Sequence, residues 1–286
     1  MDADLVKRIE AAGYIVENAC SSDIISLYPC QRKIWSEQTD YARATIAECK
    51  GLGRTLFLDG EVQSSESDEA IYHESLVHPV MISVPSASRE SVLIIGGGEG
   101  ATAREVLKWP DVEHVTWIDI DGDLVDACLK HLGWVDPAIM ADPRLEFSAE
   151  DVRDFFTRTT RTYDVVIIDL PDPDTDDEVG AQDTLQNTTF WLNVRTCLAP
   201  GGACVTHVGP VRRGLQSDGL EWTIRAAASA GIKLSTKGAY HTVIPSFTDD
   251  WGFLMSCKLS VPVEWPPIQT RFLKSVGTLR YLFTWP

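Results

Sequence analysis

The sequence has no run approaching the roughly 18 consecutive apolar residues that a membrane helix requires. Its start, MDADLVKRIEAAGYIVENACSSD, lacks the basic opening and apolar stretch of a secretory signal. A cytoplasmic protein without membrane contact is the expectation. Seven cysteines (Cys20, Cys30, Cys49, Cys128, Cys197, Cys204 and Cys257) include no Cys-x-x-Cys pair. That spacing supports neither a zinc framework nor a disulfide framework, so reduced thiols and no metal are expected. Basic residues are scarce: 25 Lys plus Arg stand against 42 Asp plus Glu, a formal net charge of −17. A general nucleic-acid binder needs a basic face and is excluded on this ground. The acidity suits solubility or a cationic small ligand. Repeats and low-complexity linkers are absent, and 44% apolar with 23% charged residues is composition that folds.

Two rhythms are present. Residues 1–20 read as a short amphipathic helix. From about 24 to 63, the runs IISLY, RKIWSEQ, ARATIAEC and RTLFLDGEVQ are rich in β-branched and aromatic residues. Gly51-Leu52-Gly53 and Asp59-Gly60 separate them, which predicts a small antiparallel sheet. A helix from Asp68 to His78 follows, ended by Pro79. From residue 91, strand-like runs (SVLIIGGG, HVTWIDID, RLEFSAED, DVVIIDLPD, GGACVTHVG) alternate with helical ones (ATAREVLKW, GDLVDACLKHL, VRDFF, TTFWLNVRTCL, LEWTIRAAASAG). Strand signals in KLSTKGAYHTV and WGFLMSCKL come last. This alternation predicts an α/β protein with a mostly parallel, doubly wound sheet. The expected organisation is an N-terminal helix and antiparallel β-subdomain over residues 1–78, then a Rossmann-like domain with a C-terminal extension over 79–286.

Gly96-Gly97-Gly98-Glu99-Gly100 sits between the run VLII and a helix. Glycines at a strand-to-helix turn let the backbone approach a ligand closely, although tight turns use them too. Asp119 ends the second strand, where an acid can grip ribose hydroxyls. Asp151 follows the third, a position suited to an adenine amino group, and Asp169 ends the fourth. Each acid alone is equally at home as a helix N-cap or in a solvated turn. Four strand ends in register, each with a glycine loop or an acid, point to a nucleoside site, because ligands of open α/β sheets sit outside the carboxyl ends of the strands. The loop lacks the Gly-Lys-Ser/Thr of a phosphate loop and carries Glu99 where a pyrophosphate would be repelled. A nucleoside bearing a sulfonium and an ammonium group, S-adenosylmethionine or its decarboxylated form, fits that charge better than NAD.

Several segments in order carry a resemblance: LDGEVQSSESDEAIYHESLVHP, GGGEGATAREVL, WIDID, AED, IIDLPDP and AYHTVIPSFTDDWGFLMS. Over residues 24–258 the chain resembles the polyamine aminopropyltransferases, that is, the spermidine, spermine and thermospermine synthases. GGGEG and HTVIPSFTDDWGF look most like the thermospermine branch. The resemblance implies a class I S-adenosylmethionine-type Rossmann-like domain with a small N-terminal β-subdomain. It implies transfer of an aminopropyl group from decarboxylated S-adenosylmethionine to a polyamine, with release of methylthioadenosine, and a homodimer. It further implies that Glu99 holds the donor's primary amine beside Gly96 and Gly98, that Asp119 binds ribose, and that Asp151 binds adenine. Asp169 would accept or orient the attacking amine, with Asp172 and Tyr240 on the acceptor. Gln63 and Tyr72 would line the donor and acceptor cleft, while Asp68 and His73 share that motif in less defined roles. His78 is assigned a surface or outer position.

Three departures bear on the substrate. The family's Tyr-Gln-Asp in the early strand is Tyr41-Ala42-Arg43 here. Arg43 either faces outward or pairs with a carboxylate, which intact S-adenosylmethionine has and its decarboxylated form lacks. The acceptor-facing tyrosine pattern becomes Thr184-Leu185-Gln186-Asn187-Thr188-Thr189-Phe190-Trp191, and residues 172–178 are strongly acidic. The alternatives are therefore 3-amino-3-carboxypropyl transfer from S-adenosylmethionine to a specialised-metabolite acceptor, methyl transfer, and a nucleoside- or polyamine-binding relative without turnover.

Overall fold

The computed structural model describes residues 3–18, 25–171, 182–211, 218–234, 236–259, 262 and 264–284. The N-terminal part contains helix α1 (Ala3–Ala11) and strands β1 (Tyr14–Asn18), β2 (Ile25–Gln38), β3 (Arg43–Cys49), β4 (Gly53–Leu58) and β5 (Glu61–Ser65), followed by α2 (Glu69–Ser83). The alternating part runs β6 (Ser91–Gly96), α3 (Ala101–Leu107), β7 (His114–Asp119), α4 (Gly122–His131), β8 (Leu145–Ala149), α5 (Val152–Arg158) and β9 (Tyr163–Asp169). It continues through α6 (Gln182–Gln186), α7 (Thr188–Cys197), β10 (Leu198–Pro210), α8 (Asp218–Ser229), β11 (Ala239–Ile244), β12 (Asp249–Met255) and α9 (Val276–Leu282).

Among the described residues β1 to β5 form one antiparallel sheet in sequential order, as short strands joined by tight turns should. The second sheet has the order β11-β12-β10-β9-β6-β7-β8. Strands β10, β9, β6, β7 and β8 are parallel, while β12 and β11 are antiparallel additions at one edge. Leu93 and Ile95 pack under Trp191 and Val194 of α7 on one face, and Val92 and Ile94 pack against α2 and α3 on the other. Burial on both faces explains why these strands read as continuous apolar runs rather than alternating ones.

The expected helix over residues 1–20 is instead α1 plus the edge strand β1. Its second half, Tyr14 to Asn18, pairs with β2 because Tyr-Ile-Val favours a pleated surface. The second correction is at Pro79. Helix α2 continues through it to Ser83 and across the boundary expected at residues 78 and 79. Pro79 has no N–H to give to the Ser75 carbonyl one turn earlier, and the Tyr240 hydroxyl donates to that carbonyl at 2.8 Å. A helix tolerates an internal proline when the freed acceptor finds another donor.

Strand β6 ends where the sheet changes direction, with β9 on one side and β7 on the other, so a crevice opens at its carboxyl end. Gly96 has φ +83 and lies beside Asp169 in the ladder, so a side chain there would collide with the Asp169 carbonyl. Gly96→Ala combines a left-handed backbone with that collision and is expected to destabilise the protein by at least about 2 kcal/mol. Urea unfolding of the variant against wild type measures this.

Candidate active site at the carboxyl end of the parallel sheet

The register of β9, β6 and β7 sets Asp169 next to Gly96 and one strand away from Asp119. The Gly97 N–H donates to the Asp169 carbonyl at 2.8 Å, and a Cβ on Gly97 would come within 2.8 Å of Asp169 Oδ2. The glycine turn thus rests directly on Asp169. Trp117, fully buried in β7, supports it from beneath by donating its indole N–H to the Gly96 carbonyl at 2.8 Å.

Asp169 is buried, and both of its oxygens are oriented. Tyr72 donates to Oδ1 at 2.8 Å and Thr102 to Oδ2 at 2.5 Å. Each oxygen keeps a lone pair for another donor. Asp119 is buried as well. Burial pushes its carboxyl up, the Asp121 N–H opposes this, and the charges of Glu99, Asp121 and Asp169 add to it, bringing the pKa to about 7. Glu99 is half-buried. Its carboxyl is also pushed up, first by desolvation and then by Asp169, against the pull of His73. Asp169 pushes up both Glu99 and Asp119, and Glu99 adds to the push on Asp119, the signature of a pocket short of positive charge.

His73 is the counterweight. It is buried on α2, and its Nδ1 lies 2.7 Å from the Glu69 carbonyl and 3.3 Å from the Glu69 carboxylate. Both neighbours are acceptors, so Nδ1 carries the proton. Burial would lower its pKa, but the Glu69 hydrogen bond and the charges of Glu99, Glu69 and Asp169 outweigh that and lift it to about 9. Its Nε2 is buried with no hydrogen-bond partner among the described residues. Aromatic rings close this side: Tyr72 lies 5.0 Å from His73, 5.9 Å from His207 and 6.0 Å from Phe247, and Phe247 lies 4.6 Å from Trp251.

The other residues expected from the sequence fall differently. Gln63 is half-buried on β5, with its amide 3.4 Å from the Glu61 carbonyl of its own strand. Asp151 follows β8 as expected, and it caps α5 through the Arg153 N–H at 2.7 Å. The Arg153 guanidinium also grips both its oxygens and holds its carboxyl below the usual range. Asp172 and the acidic run at 172–178 lie outside the described residues. Tyr240 does not face the site. It is fully buried, stacked on Phe253 at 5.3 Å and Phe283 at 4.6 Å, with its hydroxyl on Ser75. An alternating strand sends every second side chain to the core, and Tyr240 is one of these. Arg43 is exposed at the start of β3 and makes no ion pair among the described residues. It thus takes the outward-facing option of the two expected for it. Leu185, Phe190 and Trp191 of the altered segment are core residues. His78, expected in a surface or outer position, is not at the surface: it is fully buried between Glu105 at 3.1 Å and the Trp109 indole at 3.3 Å.

Residues 69–264 match the family model described as the spermine/spermidine synthase domain. The chain belongs to the spermine/spermidine synthase family. It is 36% identical over 257 residues to polyamine aminopropyltransferase 2 of Pseudomonas aeruginosa, covering 88% of this chain and 70% of that protein. It is 47% identical over 170 residues to polyamine aminopropyltransferase 2 of Hyperthermus butylicus, covering 59% of this chain and 54% of the relative. The chain thus spans about half the length of the first curated relatives it matches. Among solved structures, a spermidine synthase in complex with the transition-state analogue AdoDATO matches with TM-score 0.75 and 26% identity, over 85% of this chain and 79% of that one. Spermidine synthase from Thermotoga maritima matches with TM-score 0.72 and 26% identity, over 85% and 78%.

Within this spermine/spermidine synthase domain, sequence reasoning missed Thr102, Asp121 and Thr39. Thr102 stands on α3 right after the glycine turn. Asp121 orients Asp119 through its N–H at 2.9 Å and accepts from Thr39 at 2.5 Å, which ties the β2–β3 hairpin to the rim of the crevice. Only the place of Thr102, two residues after Gly100, hinted at any of them. An acid whose pKa is raised by folding weakens the folded state once ionised. For Asp119 that penalty is absent below about pH 4 and complete above pH 7. Asp119→Asn should therefore be more stable than wild type at pH 8, by up to roughly 4 kcal/mol, and the gap should close by pH 4. Denaturant melts of the two proteins across this range test the sign.

Proposed function

We propose that this protein transfers an aminopropyl group from decarboxylated S-adenosylmethionine to a polyamine, releasing methylthioadenosine. The observation that carries the reading is the convergence of Glu99, Asp119 and Asp169 on one glycine turn, with Asp169 held by Tyr72 and Thr102. A site with three acids against one imidazolium is complementary to a ligand bearing a sulfonium and an ammonium, and to a polycationic acceptor. The names of the curated relatives and of the structural neighbour with AdoDATO point the same way.

The chemistry is one in-line displacement. The acceptor nitrogen forms a bond to the carbon next to the sulfonium, the carbon–sulfur bond breaks, and its electron pair stays on sulfur. The leaving group is activated already, so the protein supplies proximity and orientation, worth up to about 7–11 kcal/mol in well-oriented model systems. An amine with pKa near 10 must lose a proton first, which costs about 4 kcal/mol at pH 7. Asp169 takes that proton or holds the neutral amine, and Tyr72 and Thr102 keep its lone pairs aimed. Glu99 binds the donor's ammonium, Asp119 the ribose hydroxyls, and Gly96 and Gly98 let the donor lie against the backbone. Asp151 meets adenine by sharing its carboxylate with Arg153. Gln63 and Asp172 flank the donor and acceptor respectively. The same reading puts the enzyme in the cytoplasm as a homodimer; its described cysteines are all free, and no described helix is long and apolar enough to cross a membrane.

Asp169→Asn is expected to lower kcat by about 10²-fold or more while donor binding stays nearly intact, as for loss of a general base. Methylthioadenosine release, measured separately with each donor and a panel of amines, tests the assignment. Release from intact S-adenosylmethionine alone overturns it.

A further inference from the structure

The C-terminal segment beyond the matched domain is not a loose end. Residues 271 to 273 present three consecutive backbone N–H groups to the fully buried carboxylate of Glu74, at 2.6, 2.8 and 2.7 Å. Arg271 reaches over the helix to Glu69, which is also buried. Leu273, Leu279 and Leu282 are buried, and Phe283 stacks on Tyr240, whose hydroxyl bonds Ser75. The segment therefore engages α2 through Glu69 and Glu74 directly and through Ser75 by way of Tyr240. Between the first two contacts lie Tyr72 and His73, the two side chains that α2 sends into the site.

Glu69 joins the tail to His73. One oxygen takes Arg271 and a 3.2 Å bond from Arg104; the other takes Arg104 at 2.8 Å and faces His73 Nδ1 at 3.3 Å. A buried carboxylate with three cationic neighbours is held in a single orientation. That orientation fixes the His73 ring, whose free Nε2 is in the field of Glu99 and Asp169. Arg104 is also fastened to Glu105 and the Trp134 carbonyl, so it cannot follow Glu69 if the carboxylate turns. Arg271 is half-exposed and is the one member supplied by the tail.

We infer that Arg271 is a positioning residue for the site, acting through Glu69 on the His73 ring, with the Glu74 grip on the 271–273 backbone holding it in place. The inference rests on the reading of this site as an aminopropyltransferase, but its structural half stands without turnover. In the wild-type protein the His73 Nδ1–H is buried and doubly accepted, so its proton resonance should lie downfield and exchange slowly. In Arg271→Gln that resonance is expected to shift and to exchange markedly faster. Catalytic efficiency toward the amine should fall about 2- to 30-fold, the range for residues that couple to a site without touching ligand. Arg271→Lys keeps the charge but not the planar guanidinium and should fall between. Arg280→Gln, exposed on α9, controls for general effects on the tail. A His73 resonance unmoved in both Arg271 variants overturns the inference, even if the melting temperature drops, because the tail would then be packing only. Absence of aminopropyl transfer by the wild type would overturn the functional reading and leave the His73 result to decide the structural one.

Discussion

Negative charge held at the end of a parallel sheet, with little solvent to relieve it, is the constraint on which the site depends. Asp169 is fixed by the strand it ends, and the glycine turn of β6 has no room except against its backbone. Asp119 follows one strand further, and Glu99 hangs from the turn itself. Burial and the neighbouring negative charges make Glu99 and Asp119 harder to ionise. The strain is electrostatic, and a cationic ligand removes it on arrival. Among the described residues, Arg104 and Arg271 are turned toward Glu69, which also faces His73, and leave His73 as the positive group beside the acids.

Helix α2 joins the parts. It connects the antiparallel sheet to the parallel one, supplies Tyr72 to Asp169, and places His73 among the acids. Its N-terminus is fixed by Asp68, whose carboxylate accepts from Ser65 and from the Ser246 N–H and hydroxyl of the β11–β12 turn. Its middle is fixed by Glu74 and by the carbonyl that Pro79 leaves open. The proline that would end an isolated helix thus becomes a point of attachment for Tyr240. That also accounts for Tyr240 standing next to the site in sequence motif and apart from it in space.

The candidate site was partly legible before any coordinates. Asp119 and Asp169 end apolar runs whose length and β-branched content specify strands, and strand ends of one parallel sheet share an edge. Gly96 to Gly100 fall between such a run and a helix. Residues that reach the crevice from elsewhere left weaker signals. Thr102 is an ordinary helical residue until the register shows it beside Asp169. His73 had only a place in a shared motif without a defined role, and Glu69 was not singled out at all. Tyr240 shows why: sequence indicates that a residue lies on a strand near a motif, while the face it occupies depends on the pairing of its neighbours.

By itself the sequence determined the alternation of strands and helices, the glycine turn, the acids at the strand ends and the excess of negative charge, because these depend on local periodicity and composition. Tertiary structure alone decided which side chains meet. The joining of Tyr72, Thr102 and Asp169 spans 97 and 67 residues, and that of Glu74 with the 271–273 backbone nearly 200. Contacts at such separations arise from the order of strands in the sheet and from the closure of the tail over α2, and no local pattern encodes either.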